Sequence, residues 1–189
     1  GSIVRIAWNE APRFKRVLDL GVSGVMVPYV NTASEAAQAA RSMRYPPEGV
    51  RGVAALTRSS GFGQDFLEYF RQANENLLTI VQLETQQAVD NAEEIASVPG
   101  VDVLFVGPLD LSVSLGVPQD FSHPAFRSAV TRVIKAAHKH GKQAGTLLAS
   151  EEQLEQAIAD GYTFVALGSD SGLVAAGMHR AMDTARRYR

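Results

Sequence analysis

The sequence predicts an α/β domain on a parallel sheet, with about six βα units in 189 residues. Three observations carry this. Six short runs rich in Val, Ile and Leu recur along the chain, and a segment with helical start or stop signals follows each. Each run is also apolar nearly throughout instead of alternating, as strands covered on both faces are. Consecutive parallel strands need a crossover between them, and the intervening segments are long enough to supply one.

The first strand is expected at residues 3–7, followed by Asn9 as N-cap, Pro12 in the first helical turn, and Gly21 as terminator. Phe14, Val17 and Leu18 give that helix its apolar face. Gly24–Val27 reads as the second strand, ending at Pro28. Thr32 and Glu35 form a capping-box pattern for an Ala-rich helix reaching about Met43. Residues 44–63, rich in Gly, Pro and Ser, then form a long loop expected to act as an active-site or interface element. A helix is expected over 64–74, a strand over 77–83 ending at Glu84, and a helix over 87–97. Residues 101–106 form the fourth strand, and an irregular stretch leads to a helix opened by His123-Pro124 and closed near Gly141. A strand over 143–148, a helix over 150–160, a strand over 163–167 and a helix over 170–189 complete the chain.

Two architectures fit this order: part of a (β/α)8 barrel, or an open doubly wound sheet. The only G-x-G is Gly61-Phe62-Gly63, which lies in the long loop and lacks the third glycine. A dinucleotide site at the first strand–helix turn is therefore not expected.

Composition narrows the function. The net charge of −2 gives no cationic surface for nucleic acid or anionic membrane, and no apolar run is long enough to span a bilayer. With no cysteine, thiolate metal sites are excluded, and side-chain ligands reduce to oxygen and imidazole. A cytoplasmic location is expected. Gly1-Ser2 without an initiator methionine reads as a processed start, so the N-terminus is expected to be trimmed or engineered.

In either architecture, reactive groups belong at the C-terminal ends of the strands. Arg5, Trp8, Pro28, Gln82, Glu84, Asp110, Leu147, Ser169 and Asp170 fall there. Glu84 and Asp110 stand at the ends of successive strands, whose axes would lie about 5 Å apart if they are neighbours. Two ionised carboxylates so close need a shared proton, a basic residue or a divalent cation. A pair of protein oxygens completed by water and substrate suits Mg²⁺, and Arg5 would face it as an oxyanion clamp. The alternative is structural, with Glu84 capping a helix and Asp110 opening a turn.

Four segments bring a family into view. Val81-Gln82-Leu83-Glu84-Thr85 resembles the V-Q-I-E-T segment of the HpcH/HpaI aldolases, and Phe105 to Ser112 resembles their F-I-G-P-x-D-L-S segment. Arg44 to Gly52 resembles their R-Y-P-P-x-G-x-R-G loop, and Val4-Arg5 with Trp8-Asn9 resembles their V-R-x-x-W-N/D strand end. The matches stand in family order and spacing over essentially the whole chain. The resemblance implies a (β/α)8 barrel of which this chain holds strands 3 to 8. It also implies a class II, metal-dependent pyruvate aldolase, of the 2-dehydro-3-deoxyglucarate or 4-hydroxy-2-oxoacid type. Glu84 and Asp110 map onto the metal ligands and Arg5 onto the pyruvate-contacting arginine. Gln82, Gly107, Pro108, Leu109, Asp110, Leu147 and Trp8 would line the substrate site. The cation would be Mg²⁺, Mn²⁺ or Co²⁺, with Zn²⁺ also compatible. The partners would be pyruvate and an aldehyde, or the 4-hydroxy-2-oxoacid they form.

The resemblance also implies a departure. Family members carry two further βα units before the first strand here, and the second supplies a catalytic histidine. His123, His138, His140 and His179 all fall on predicted helices or helix ends. A catalytically impaired barrel fragment, or another lyase of the pyruvate/phosphoenolpyruvate superfamily, is thus an alternative reading. Family members are commonly homo-oligomers, and the C-terminal helix would either be exchanged between subunits or, more simply, pack onto its own barrel. No lysine stands at a strand end, which favours metal over imine chemistry.

Overall fold

A computed structural model describes residues 1–188. Among these, six parallel strands form one sheet in sequence order, each hydrogen-bonded to its chain neighbours. They are β1 (Ile3–Arg5), β2 (Gly24–Val27), β3 (Leu78–Leu83), β4 (Val103–Val106), β5 (Gln143–Leu148) and β6 (Phe164–Leu167). The helices in chain order are α1 (Ala11–Leu18), α2 (Ala33–Met43), α3 (Phe66–Asn76), α4 (Gln86–Asp90) and α5 (Ala92–Ala96). They continue with α6 (Pro108–Ser114), α7 (Pro124–Lys139), α8 (Leu154–Asp160) and α9 (Asp170–Arg186).

The two faces of the sheet differ, because alternate residues of a strand point to opposite sides. Val25, Val27, Val81, Leu83, Leu104 and Val106 belong to the main core shared with the helices, which supply Phe14, Leu18, Met43, Ile95, Val133 and Ile134. The other face gathers Ile80, Val103 and Phe105, with Met26, Phe164 and Ala166 packed against them. That grouping draws on β2, β3, β4 and β6, so the sheet curls as a part of a barrel does. Gly145 on β5 permits the curl. A Cβ there would lie 2.7 Å from the Phe105 ring, and without it Phe105 meets Phe164 edge-on at 6.3 Å.

Several local expectations change. β1 ends at Arg5 instead of Ala7. Glu10 precedes α1 as its N-cap in place of Asn9, whose amide instead donates to the Glu35 carbonyl at 2.9 Å. The helix expected over 87–97 is two short helices divided at Asn91, and its cap is Thr85, whose hydroxyl accepts from the Ala88 N–H. The stretch after β4 contains α6, with Gly107 as N-cap and Pro108 in the first turn. The helix expected from residue 64 starts at Phe66, after tight 3₁₀ turns over Arg58–Gly63.

The 44–63 segment is tied down at the end of the sheet where the strands begin. The Arg51 guanidinium is buried, donating to Asp19 Oδ1 and the Tyr69 hydroxyl at 3.0 Å each and lying 4.4 Å over the Tyr45 ring. Asn74 accepts from the Tyr45 N–H at 2.7 Å. Asp19 follows α1 and Asn74 lies near the end of α3, so both anchors precede strands. α9 has no buried residue, and Leu173, Val174, Met178 and Met182 are all exposed on it.

Candidate active site at the strand ends

Glu84 is the residue just after β3, and it is only 2% exposed. Its side chain belongs to the concave side, which it shares with Ile80 and Gln82 by strand alternation. Oε2 accepts a hydrogen bond from the Tyr29 N–H at 3.1 Å. The remaining oxygen lies against Gly107, where an added Cβ would fall 2.6 Å from Oε1. Gly107 is thus the small residue that makes room for the carboxylate between the ends of β3 and β4.

The charges of Asp110 and Arg5 both act on Glu84. Burial pushes the Glu84 carboxyl above the ordinary glutamate range; the Tyr29 N–H opposes this, the Asp110 charge adds to it, and Arg5 works against it. Asp110 stands in the first turn of α6, beyond the end of β4. Arg5 ends β1 and is exposed, on the face opposite Val4, which packs into the helix-side core. Among the described residues, neither Glu84 nor Asp110 forms an ion pair with a Lys, Arg or His. A buried carboxylate with one neutral donor and a like charge nearby is short of positive charge.

Gln82 sharpens the same deficit. It is 5% exposed, and its Oε1 is buried without a hydrogen-bond partner. Glu84, Asp110 and the Gln82 amide offer oxygen donors alone, the chemistry that suits a hard divalent cation. No group of three or more His, Cys, Asp or Glu side chains able to hold a metal occurs among the described residues. Such a cation would therefore complete its shell with water or substrate oxygens, as Mg²⁺ commonly does. In α6, the Leu111 N–H bonds back to Gly107 O at 3.0 Å, while the earlier N–H groups of a first helical turn have no intrahelical partner.

The other expected residues take two positions around this centre. Trp8 and Tyr29 stack at 6.1 Å on the β1–β2 side, both about half exposed. Pro108, Leu109 and Leu147 line a cavity of about 990 Å³ whose other walls are Thr146 and Leu148 of β5 and Phe126, Val130, Ala157 and Leu173 of α7, α8 and α9. Neither Glu84 nor Asp110 lines it, so the cavity lies on the helix side of the sheet and apart from the carboxylates. Ser169 caps α9 through a bond from the Gly172 N–H, a structural role. His123 caps α7, His138 and His140 lie at its other end, and His179 is on α9. Tyr29 is the residue that sequence reasoning missed. Its position directly after Val27-Pro28 at a strand end was the available signal.

Residues 1–176 match the HpcH/HpaI aldolase/citrate lyase family. The 5-keto-4-deoxy-D-glucarate aldolase of Shigella dysenteriae is 42% identical over 185 residues, covering 98% of this chain and 72% of the relative. The crystal structure of an HpcH/HpaI aldolase/citrate lyase family protein from Burkholderia cenocepacia superposes with a TM-score of 0.92 at 36% identity, over 97% of this chain and 73% of that one. The HpcH/HpaI aldolase of Desulfitobacterium hafniense gives 0.88 at 27% identity, over 97% and 71%. With the family match over most of its length and six parallel strands curled as in these proteins, the chain belongs to the HpcH/HpaI aldolase/citrate lyase family.

Proposed function

We propose that the chain is a divalent-metal-dependent aldolase, a carbon–carbon lyase acting on 4-hydroxy-2-oxoacids with pyruvate as the enolate component. The observation that carries this reading is the buried Glu84 carboxylate, lacking a cationic partner and set within electrostatic reach of Asp110 and Arg5. The name of the Shigella relative supports a sugar-acid-derived substrate such as 5-keto-4-deoxy-D-glucarate.

A divalent cation (Mg²⁺, Mn²⁺ or Co²⁺, with Zn²⁺ compatible) held by Glu84 and Asp110 would supply Lewis-acid polarisation of the 2-oxo group. Gln82 Oε1, buried and unpartnered, is suited to accept from water in that shell. Arg5 offers its guanidinium to the oxygen on which negative charge gathers as the C3–C4 bond breaks. The N–H groups opening α6, at Leu109 and Asp110, are the donors for the substrate carboxylate, Pro108 having none. Trp8 and Leu147 would bound the acceptor end of the site. The 4-hydroxyl proton must leave as the aldehyde forms, and none of these residues is assigned as its base. Residues 44–63, anchored at the strand beginnings, suit an interface role better than a lid over their own site. α9, with its exposed apolar residues, suits exchange with a second subunit of a homo-oligomer.

The test is release of pyruvate from a 4-hydroxy-2-oxoacid with added Mg²⁺, Mn²⁺ or Co²⁺, against an EDTA control. Calorimetric titration with Mn²⁺ should lose its signal in both Glu84→Ala and Asp110→Ala. Cleavage undiminished by thorough metal removal, or both variants binding Mn²⁺ like the parent, would overturn the reading.

A further inference from the structure

Tyr29 has a left-handed backbone, with φ of 53°, although it is not glycine. Aromatic residues rarely adopt this conformation, and where one is held in it the surroundings must over-determine it. Here they do. The Tyr29 N–H donates to Glu84 Oε2 at 3.1 Å, and its carbonyl accepts from the Asn31 side-chain amide at 3.1 Å. The next residue, Val30, donates its N–H to the Gln82 carbonyl at 3.1 Å. Asn31 is fixed in turn, since its side-chain oxygen accepts from the Thr85 hydroxyl and its carbonyl from the Asn91 amide at 2.7 Å. Three consecutive residues after β2 are thereby stitched to the end of β3, on either side of Glu84.

We propose that Tyr29 is a positioning residue: its left-handed turn lets its N–H face Glu84 Oε2 while the next residues return to Gln82 and Thr85, and so leaves Oε1, on the Gly107 side, turned toward a cation shared with Asp110. The inference rests on the metal reading above. It differs in assigning the work to a main-chain group held by a turn with φ > 0, while the ring, stacked on Trp8, is dispensable for it. An extended residue at 29 would not keep that N–H bond together with the Val30 and Asn31 bonds to the end of β3, and a carboxylate that lost the N–H could rotate about its last bond. Partners that orient a metal-ligating side chain in this way typically change metal affinity about 10- to 100-fold when removed.

Backbone and ring can be separated by substitution. Tyr29→Gly removes the ring but adopts φ > 0 freely, whereas Tyr29→Val opposes it through β-branching. Asn31→Ala removes the amide that holds the Tyr29 carbonyl and leaves residue 29 unchanged. Mn²⁺ affinity of the full chain would be measured by electron paramagnetic resonance titration, well below each variant's unfolding temperature. Tyr29→Gly should bind within about threefold of the parent, Tyr29→Val about 10- to 100-fold more weakly, and Asn31→Ala several-fold more weakly. If Tyr29→Val does not fold, the contrast between Asn31→Ala and Tyr29→Gly decides. Tyr29→Gly binding as weakly as Tyr29→Val would move the role to the ring and overturn the proposal. So would parental affinity in Tyr29→Val, or in Asn31→Ala when Tyr29→Val does not fold. Glu84→Ala is the control: parental Mn²⁺ affinity there sinks the metal reading itself, whereas its loss beside an unaffected Tyr29→Val sinks only the positioning role.

Discussion

Replacing Glu84 with glutamine should stabilise the metal-free protein and at the same time remove its response to divalent cations. Glu84 is buried, faces the like charge of Asp110, and receives one backbone N–H bond. Glutamine keeps an oxygen for the Tyr29 N–H and removes the charge. A single stabilising change commonly gains about 0.5–2 kcal/mol. For a chain of 189 residues that corresponds to a rise in Tm of roughly 1–8 °C. Burial, the leading cause, raises the Glu84 carboxyl in the folded state, so the folded protein holds this proton more tightly than the unfolded chain. Its destabilising effect is absent below the ordinary glutamate range and grows as pH rises through the folded-state value. The glutamine advantage should therefore be present at neutral pH and vanish in acid. Cation binding reverses the order, because Mn²⁺ at about 100 times its Kd adds about 2.7 kcal/mol to the parent alone. Thermal unfolding in EDTA and in excess Mn²⁺ should show the two curves exchange rank. A Glu84→Gln protein less stable than the parent in EDTA, or one that gains equally from Mn²⁺, would refute the reasoning.

Two further outcomes test the packing around this centre and its independence from the rest of the fold. Gly107→Ala sets a Cβ 2.6 Å from Glu84 Oε1 and 2.7 Å from Cγ, so the carboxylate must turn away. Mn²⁺ affinity should fall about 10- to 100-fold by calorimetry, and unchanged affinity would mean the carboxylate is not held as described. Arg51→Ala removes the buried guanidinium and its bonds to Asp19 and Tyr69, while Asp19 keeps Lys15 at 2.6 Å, so the cost is that of charge-assisted hydrogen bonds, about 1.5–3 kcal/mol or roughly 3–12 °C in Tm. Because Arg51 lies at the opposite end of the sheet, Mn²⁺ affinity of the folded variant should not change, and a large loss would show coupling across the domain.

The strands were legible because their signal is redundant. In β3 and β4 nearly every residue is apolar, and both faces are indeed covered. Glu84 and Asp110 stood out for the opposite reason, as lone carboxylates following such runs. What escaped detection depends on single tertiary bonds or very short elements. α6 has seven residues, too few for a helical period to register, although Gly107-Pro108 was a usable start signal. The break at Asn91 coincides with its side-chain bond to the Asn31 carbonyl, a residue 60 positions away. Asn9 is a favourable cap by type, but its amide is engaged by Glu35 at the start of α2. Tyr29 offered only its place after Val27-Pro28 at a strand end, because a non-glycine residue with φ > 0 leaves no mark in composition.

The parts of the site differ in how firmly the fold holds them, and this bears on how the chemistry is divided. Gln82 lies in β3 and Glu84 directly follows it, while Gly107 and Asp110 follow β4, two interior strands paired on both sides over four residues each. The Tyr29 and Asn31 bonds add a second layer of restraint there. Arg5 is placed differently. It ends a three-residue strand at the sheet's edge, paired only with β2 through Gly24, Val25 and Met26. An edge strand with few ladder bonds is among the first elements to open. The carboxylate side is therefore preorganised within this sheet, whereas Arg5, the proposed oxyanion clamp, gains its precision from whatever holds β1. Whatever pairs with or covers the free edge of β1 acts on Arg5 first, and so on turnover more than on cation affinity.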